Sequence, residues 1–477
     1  MLVIDPDFRV ADVDPRIYGS FVEHMGRAVY GGIFERDGER VRDDVLALVR
    51  EVGVTVVRYP GGNFVSGYDW EDGVGPVREP RLDLAWRSLE TNKVGTNEFL
   101  AWARAAGAEP MLAVNMGTRG ADAARSLVEY CNLPGGSRHA DLRRAHGVED
   151  PWGVKVWCIG NEMDGPWQIG AKDAVAYGKL ANEAGKAMRL VDPSIELVVC
   201  GSSNSSMPTF GAWEDTVLDL TWDVADHISL HTYYDPASFR TLEDFLACSR
   251  DLDHMIETVA ATADAVAGRR RSRKKLSLSV DEWNVWYQTA NTHNRGAEVG
   301  FDVAPAIAED TYTITDALVV GCLLITLLRH ADRVRMACLA QLVNVIPPIR
   351  TLDDGPAWRQ TTFFPFAHAS RYGRGTVLRV EPHSDALEAT AVASDDAITL
   401  FAVNRDDRRC EIDAVVRGAS NVIEHLVLAD EDPSAANTAE NPDRVTPRAV
   451  AGATLQNDAL NVTLPPRSWN VIRMGTS

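Results

Sequence analysis

Short apolar runs alternate with longer, helix-patterned stretches between positions 17 and 345 of this 477-residue chain. The apolar runs are rich in β-branched residues, which favours strands, whereas stretches such as 41–52 and 172–191 repeat apolar residues at helical spacing. The runs that predict strands are 17–23, 54–60, 110–115, 154–161, 195–201, 226–233, 276–282 and 334–341. Repeated strand–helix units of this kind are typical of a parallel sheet.

The number of units favours a closed barrel. Eight strand–helix units match a (β/α)8 TIM barrel, which takes roughly 250 residues and more than about 400 with insertions. A doubly wound open sheet is the alternative, but it requires a glycine-rich phosphate turn after the first strand, and IYGSFVEHMG contains no GxGxxG. We therefore predict an α/β fold with a catalytic barrel over residues 17–370.

The pattern changes after residue 375, where the helical spacing stops. Short alternating runs that predict antiparallel strands lie at 397–404, 421–429 and 468–474. We predict that residues 371–477 form an additional C-terminal antiparallel β-sandwich domain. Residues 1–16 have no other partner, and we predict that they add an N-terminal strand to this sandwich.

Nearly every predicted barrel strand ends in a polar or charged residue. In chain order these residues are Glu23, Arg58, Asn115, Asn161 with Glu162, His231 with Tyr233, Glu282 and Gln341. In a barrel all these strand ends converge on one face, where the active site lies in essentially every characterised enzyme of the fold. We therefore expect these side chains to form one polar site.

Two glutamates are the centre of this set. Glu162 in GNEMDG and Glu282 in VDEWN end the fourth and seventh predicted strands. Two carboxylates on one rim suggest glycoside hydrolysis, in which one protonates the leaving oxygen and the other attacks the sugar or activates water. The alternative is a pair of solvated carboxylates at strand ends. The neighbouring Trp167, Trp283 and Trp286 favour a sugar site, because sugar rings stack on aromatic faces, although tryptophan is more often a core residue.

Two further candidates lie near these carboxylates. Arg58 and Asn63 lie in the glycine-rich loop RYPGGNFVSGYDWEDGVGP. This loop is either a surface turn or a loop that points both side chains into the rim. In the second case the arginine would keep a nearby carboxylate ionised. His231 with Glu23 or Asp281 offers metal ligands, but no HxH or HExxH spacing occurs, so hydrogen bonding near the nucleophile is favoured. We predict neither a metal nor a cofactor.

Composition restricts the partners and the compartment. A formal charge of -20, from 48 Lys and Arg against 68 Asp and Glu, argues against nucleic acid and against an anionic membrane surface. The start MLVIDPDFRV lacks the pattern of a signal peptide, and the apolar run 317–328 is too short to span a bilayer and predicts a buried helix. The seven scattered cysteines include no CxxC pair, which is typical of reduced core residues. We predict a cytoplasmic protein.

Longer strings make the prediction specific. The chain contains IYGSFVEHMGR, VVRYPGGNFVSGYDWEDGVGP, LDLAWRSLETNKVGTNEF, CIGNEMDGPWQIG, DEWNVWY and ACLAQLVNVI. These strings resemble the family 51 glycoside hydrolases, the α-L-arabinofuranosidases, and the similarity runs from about residue 15 to the C-terminus. The resemblance implies a double displacement with retention, in which Glu162 is the acid/base and Glu282 the nucleophile. It also implies a furanose pocket lined by Glu23, Arg58, Asn63, Asn161, Tyr233, Trp286 and Gln341.

The implied activity is exo-acting hydrolysis of terminal α-L-arabinofuranosyl residues from oligosaccharides of arabinan or arabinoxylan. Asn161 would hydrogen-bond the sugar 2-hydroxyl, and the charge of Glu282 should raise the pKa of Glu162. The family also implies a homo-oligomer, often a hexamer. Two alternatives stay open: a related retaining hydrolase (a β-xylosidase, an endoglucanase or a D-arabinofuranosidase) and a sugar-binding protein without catalysis. The loop at 291–307 has no family-diagnostic string and leaves linkage preference open.

Overall fold

The computed structural model describes residues 2–289, 300–381 and 385–476. Within these ranges the helices are α1 (Asp43–Val52), α2 (Thr96–Ala106), α3 (Ala121–Asn132), α4 (Arg138–Ala145), α5 (Ala174–Val191), α6 (Ala212–Thr221), α7 (Leu242–Leu246), α8 (Ser249–Arg269), α9 (Ile314–Arg329) and α10 (Phe363–Tyr372). Most of the loop at 291–307 lies outside the described residues, so its role stays open.

The described strands fall into two sets along the chain. Those up to residue 360 are β1 (Leu2–Asp12), β2 (Gly19–Phe21), β3 (Val56–Tyr59), β4 (Arg81–Asp83), β5 (Ser88–Glu90), β6 (Glu109–Ala113), β7 (Val156–Ile159), β8 (Glu196–Val199), β9 (His227–Tyr234), β10 (Ser277–Val285), β11 (Val334–Ala340), β12 (Ile349–Thr351) and β13 (Ala357–Arg359). The later strands are β14 (Thr376–Glu381), β15 (Leu387–Ala393), β16 (Ala397–Asn404), β17 (Cys410–Val416), β18 (Ala419–Leu428), β19 (Arg448–Ala449), β20 (Thr454–Gln456), β21 (Ala459–Leu464) and β22 (Ser468–Thr476).

Eight parallel strands close into a barrel. Their order around the barrel is β2, β3, β6, β7, β8, β9, β10 and β11, and β11 pairs with β2 to complete the ring. The predicted (β/α)8 barrel is therefore confirmed, and the doubly wound alternative is wrong. Because all eight strands run the same way, their carboxyl ends meet on one rim.

The first barrel strand is shorter than the pattern predicts. Residues 15–18 form a single turn of 3-10 helix, and β2 begins only at Gly19. Pro15 at the first position and the side chain of Asp14, which accepts from the Arg16 amide, stabilise this turn. A Cβ at position 19 would lie 2.6 Å from Val56 Cγ1, so glycine allows the neighbouring strands to approach closely there.

The C-terminal part is a separate, almost wholly antiparallel sheet of ten strands. Its order is β19, β18, β22, β16, β15, β14, β1, β17, β21 and β20, and only the β1–β17 pair is parallel. The edge strand β20 contacts β18, the strand next to the opposite edge, so the sheet curls around its own apolar core, which includes Ile4, Leu400 and Ile472. β1 thus joins this sheet. Helix α10 spans the predicted boundary between residues 370 and 371. The predicted domain boundaries at 16/17 and 370/371 stay predictions.

Helix α9 joins the barrel to the sheet. It is apolar on all sides and nearly all of its residues are buried, as expected for a helix in the interior of a large protein. It contacts β10 and β11 of the barrel and also β15, β16 and β22 of the sheet. The predicted buried helix at 317–328 is confirmed. Among the described residues, no helix combines the length and apolarity needed to cross a membrane.

Gly321 on α9 provides a test of this packing. A Cβ there would lie 2.7 Å from the Trp469 ring of β22, so Gly321→Ala should overpack the contact, at a cost of ~1–3 kcal/mol that exceeds the small gain in helix propensity. We expect a lower thermal unfolding midpoint, measured by circular dichroism. The matched control is Gly268→Ala on α8, where a Cβ would meet nothing within 4 Å and the midpoint should stay or rise. Equal midpoints in the two variants would contradict the tight packing.

Candidate active site

The two glutamates reach the rim in different ways. Glu282 lies inside β10, beside a break in the register between β10 and β9 that sets it opposite His231. Glu162 lies just beyond β7, in a turn where Gly160 has φ +95° and Glu162 itself has φ +43°. A non-glycine residue in this left-handed region is uncommon, and such strained residues cluster at active sites.

Glu282 is held by two fixed donors. Arg58 Nη1 donates to Glu282 Oε1 (2.7 Å), and the Tyr233 hydroxyl donates to Oε2 (2.7 Å). Arg58 Nη2 also donates to Asn161 Oδ1 (2.7 Å), and its guanidinium lies 4.8 Å from the ring centroid of Phe21. Arg58 is only 1% exposed, so this cation has a single geometry from which to orient both Glu282 and Asn161.

Glu162 accepts one hydrogen bond on each carboxylate oxygen. His231 Nδ1 lies 3.0 Å from Oε1, and Trp167 Nε1 donates to Oε2 at 2.6 Å. Burial raises the pKa of Glu162, the charge of Glu282 raises it further, and the bonds from His231 and Trp167 act in the opposite direction. The direction is the one expected for the proton-donating member of a carboxylate pair.

His231 connects the two glutamates to Asp281. Its Nε2 lies 3.0 Å from Asp281 Oδ1, and its Nδ1 lies 3.7 Å from Glu282 Oε2. Burial alone disfavours the charged ring, but the charge of Glu282 and the hydrogen bonds to Asp281 and Glu162 raise the pKa of His231 to about 10. The ring is therefore an imidazolium at neutral pH. Asp281, whose pKa burial would raise, is instead held low by Arg58 and His231.

Distance alone would allow a cation here. One ligand atom each from Glu162, His231 and Glu282 lies within 4.8 Å of the others. Both ring nitrogens of His231 are, however, hydrogen-bonded to carboxylates, and a histidine ligand must offer a neutral nitrogen. The donor set fits a hydrogen-bonded acid pair better than a metal centre. That the protein needs no metal stays a prediction.

Glu23 forms a second buried carboxyl in the pocket. Its Oε1 accepts from the Phe64 amide (2.9 Å) and from Trp86 Nε1 (2.9 Å), and its amide donates to Gln341 Oε1 (2.9 Å). Burial and the charge of Glu282 raise the pKa of Glu23 to about 8, against the two hydrogen bonds that Oε1 accepts. The carboxyl is therefore mostly neutral at pH 7 and can donate a hydrogen bond to a ligand oxygen.

Several buried side-chain donors have no hydrogen-bond partner among the described residues, and two of them belong to the predicted sugar pocket beside the carboxylates. They are Nδ2 of Asn161 and Nε1 of Trp286. Trp286 packs edge to face against Tyr233, with ring centroids 5.1 Å apart. Asn63 is half-buried and begins the turn of 3-10 helix at 64–67. Buried polar atoms are nearly always satisfied, so Asn161 and Trp286, which belong to the predicted pocket, are candidates to donate to a ligand hydroxyl.

Trp86 was not among the predicted site residues, and Asn115 does not lie where the strand pattern predicted. Trp86 lies between β4 and β5, in a hairpin for which no alternating pattern gave a signal, although the quoted string LDLAWRSLETNKVGTNEF contains it. Asn115 follows a barrel strand but does not join the carboxylates. Its side chain accepts from the Thr118 amide and donates to the Tyr68 carbonyl, and so ties two loops together.

A cavity of about 780 Å³ lies away from the carboxylates, between the barrel and the C-terminal sheet. Its walls include Glu388 and the two arginines that pair with it, Arg329 and Arg405. It contains none of the residues of the rim. We locate the candidate site by its buried titratable groups, because these supply chemistry and cavity size does not.

An eight-stranded parallel barrel with paired glutamates on its carboxyl rim defines a class, the barrel glycoside hydrolases. Two family models narrow it: the α-L-arabinofuranosidase 1 domain matches residues 48–251, and the α-L-arabinofuranosidase C-terminal domain matches residues 281–468. The chain belongs to glycoside hydrolase family 51, the α-L-arabinofuranosidases.

Individual relatives cover almost the whole chain. The intracellular exo-α-(1→5)-L-arabinofuranosidase of Streptomyces lividans is 53% identical over 98% of this chain and 74% of its own length. The corresponding Bacillus subtilis enzyme is 52% identical over 99% of this chain and 98% of its own. A solved family 51 α-L-arabinofuranosidase of Bifidobacterium longum superposes with a TM-score of 0.94 at 43% identity, and covers 99% of both chains. An arabinose complex of the Thermotoga maritima enzyme gives a TM-score of 0.88 at 32% identity, also over 99% of both chains.

The raised pKa of His231 predicts a pH-dependent stability. The pKa is about 10 in the folded protein and about 6.5 when unfolded. The stabilisation by this group is therefore complete below about pH 6.5 and is lost as the pH rises toward 10. His231→Gln should lower the free energy of unfolding by roughly 1.5–3 kcal/mol at about pH 6, and by less at alkaline pH. Denaturant titrations at both pH values test this. His254→Gln, on the exposed face of α8, is the control, and an equal loss at both pH values would contradict the charged ring.

Proposed function

We propose that this protein is a retaining, exo-acting α-L-arabinofuranosidase that removes terminal non-reducing α-L-arabinofuranosyl residues from arabino-oligosaccharides. The observation that carries the mechanism is the spacing of the carboxylates: an oxygen of Glu162 lies within 4.8 Å of an oxygen of Glu282. Retaining glycosidases hold their carboxyl groups ~5–5.5 Å apart, whereas inverting enzymes leave roughly 6.5–9.5 Å for a water molecule.

In the first step Glu282 attacks the anomeric carbon. Arg58 and Tyr233 each bond one of its oxygens, which fixes the direction of attack. Glu162 protonates the departing glycosidic oxygen, so the bond to the leaving sugar breaks while the ester to Glu282 forms. The raised pKa of Glu162 suits this role, because the acid must carry a proton when the substrate binds.

In the second step water hydrolyses the ester. Glu282 is now esterified and has lost its charge, so one of the causes that raise the pKa of Glu162 is removed. Glu162 then acts as the base: it takes a proton from water as the water oxygen attacks the anomeric carbon, and Glu282 leaves as a carboxylate. Two attacks on the same carbon restore its configuration.

The remaining rim residues bind the furanose. Asn161 offers its unpartnered Nδ2 to the 2-hydroxyl, a contact that strengthens in the transition state. Glu23 and Gln341, bonded to each other, meet further hydroxyls, and the buried Nε1 of Trp286 offers another donor. Asn63 closes the pocket from the loop after β3.

The names of the relatives support the substrate class and the compartment. The Streptomyces, Bacillus and Acetivibrio thermocellus enzymes are intracellular exo-α-(1→5)-L-arabinofuranosidases, and a Bifidobacterium longum relative, 46% identical, is an exo-α-(1→6) enzyme. We therefore assign this chain to the breakdown of short arabinan-derived oligosaccharides in the cytoplasm, with arabinoxylan fragments as further substrates. The formal net charge of -20 favours a neutral substrate over an anionic one.

The decisive experiment compares aryl glycosides. Wild type should release nitrophenol from p-nitrophenyl α-L-arabinofuranoside and not from the β-D-xylopyranoside or β-D-glucopyranoside, and NMR should show the α anomer of arabinose first. Glu282→Ala and Glu162→Ala should each lower kcat/KM by at least about 100-fold, because they remove the nucleophile and the acid. Activity on the xyloside or glucoside instead would place the protein with another retaining hydrolase. Tight sugar binding without turnover in the wild type would make it a sugar-binding protein.

We also propose a homo-oligomer, a hexamer as the family resemblance implies. Analytical ultracentrifugation should give a particle of six times the chain mass at micromolar concentration. A particle of one or two chain masses, with full activity, would overturn the hexamer and leave the catalytic proposal unaffected.

A further inference from the structure

Trp167 differs from the other tryptophans near the site. It is 49% exposed, yet its Nε1 donates the 2.6 Å hydrogen bond to Oε2 of Glu162. The loop is shaped around the ring, because a Cβ at Gly165 would lie 2.6 Å from an indole carbon. Glycine at this position therefore leaves room for the indole to face the carboxylate.

The two donors to Glu162 are not equivalent. His231 is 2% exposed and is fixed from behind by Asp281. Trp167 has a single polar atom, and that atom is bonded to Glu162, so no second hydrogen bond fixes its ring. The groups with charge or titratable protons that face Glu162 are His231 and Tyr233 from β9 and Glu282 from β10. Trp167 adds to them a neutral donor from the loop after β7.

Such a donor distinguishes the two protonation states of a carboxyl group. An N–H bond to a carboxylate is roughly twice as strong as one to a neutral acceptor. The Trp167 bond is therefore strongest while Glu162 is ionised and weaker once Oε2 carries a proton. In the proposed reaction Glu162 begins the first step protonated and begins the second step ionised.

We propose that Trp167 is a positioning residue whose indole N–H holds Glu162 as a hydrogen-bonded carboxylate, and so favours attack by water over cleavage of the glycosidic bond. This inference rests on the proposed function. In the favoured step the water oxygen bonds to the anomeric carbon, its proton passes to Glu162, and the bond between that carbon and Glu282 breaks, with its electron pair returning to the Glu282 carboxylate. Trp167 acts through Glu162 and neither gives up nor accepts a proton in this step.

Trp167→Phe tests this, because it removes the N–H and keeps an aromatic ring. Loss of the donor should raise the pKa of Glu162 and move the alkaline limb of kcat/KM upward by about one pH unit. With a dinitrophenyl arabinofuranoside, whose leaving group needs little acid help, kcat should fall roughly tenfold while kcat/KM stays within about twofold. The pre-steady-state burst of dinitrophenol should become larger, since the glycosyl-enzyme accumulates.

Two matched variants separate this effect from loss of an indole in general. Trp152→Phe loses a 2.9 Å bond to Asn97 away from the carboxylates and should behave as wild type. Trp86→Phe loses the 2.9 Å bond to Glu23; it should change KM and leave the alkaline limb in place. Equal losses of kcat and kcat/KM in Trp167→Phe, without a shift of the pH profile, would overturn the proposal and leave Trp167 as a merely structural or substrate-contacting residue.

A direct titration keeps the inference independent of turnover. Carbon-13 NMR is done on protein whose glutamate side chains are labelled with carbon-13, and Glu162→Gln assigns the Glu162 resonance. The pKa of Glu162 should be higher in Trp167→Phe than in wild type. Identical titrations would refute the inference even in an active enzyme. If the pKa of Glu162 is higher in Trp167→Phe than in wild type, but the wild type hydrolyses no arabinofuranoside, the proposed function alone is refuted.

Discussion

The site depends on the burial of the Arg58 guanidinium. It is 1% exposed, and it lies between Glu282 on β10, Asn161 after β7 and, at 3.5 Å, Asp281. A buried cation is costly unless it is paired and hydrogen-bonded, so the strand ends around it must supply those partners. This requirement links β3, β7 and β10 across the barrel mouth, and it fixes Glu282 and the side-chain amide of Asn161 in one geometry.

Around Arg58 the charges alternate. Asp281 lies between two cations, Arg58 and the His231 imidazolium, and His231 in turn lies between Asp281 and Glu162. Burial would by itself neutralise each group, but the alternation keeps the carboxyl of Asp281 ionised and the ring charged. The pKa of Glu162, at the end of this chain of contacts, is raised. Two chemically identical side chains, Glu162 and Glu282, thus have different environments, as the acid and the nucleophile of the proposed mechanism require.

The rest of the fold keeps this arrangement in place. Loops after β3, β7 and the β4–β5 hairpin bring Phe64, Trp167 and Trp86 against the carboxyl groups. On the barrel side, the apolar α9 packs between the strands and the C-terminal sheet, where Gly321 leaves space for Trp469. The sheet therefore contributes to barrel stability at a distance from the rim and supplies none of the named rim residues.

The sequence by itself determined the barrel and most of the rim. Apolar runs of strand length, each followed by a polar residue, were enough to locate Glu23, Arg58, Glu162, His231 and Glu282, because parallel strands in a barrel must end on one face. Longer strings such as CIGNEMDGPWQIG and DEWNVWY then indicated α-L-arabinofuranosides as the substrate class, and the family match supports this. These signals are local and periodic, so a single sequence contains them.

Only the tertiary structure decided which other side chains contact the site and which protonation state each rim residue has. Trp86 comes from a hairpin without an alternating pattern, the 3-10 turn at 15–18 shortens the first strand, and Asn115 leaves the rim to tie two loops together. The charge of His231 depends on Glu162, 69 positions away in the chain, and on Asp281, 50 positions away. Protonation states depend on distances between groups and on burial, and no spacing along a sequence contains either quantity.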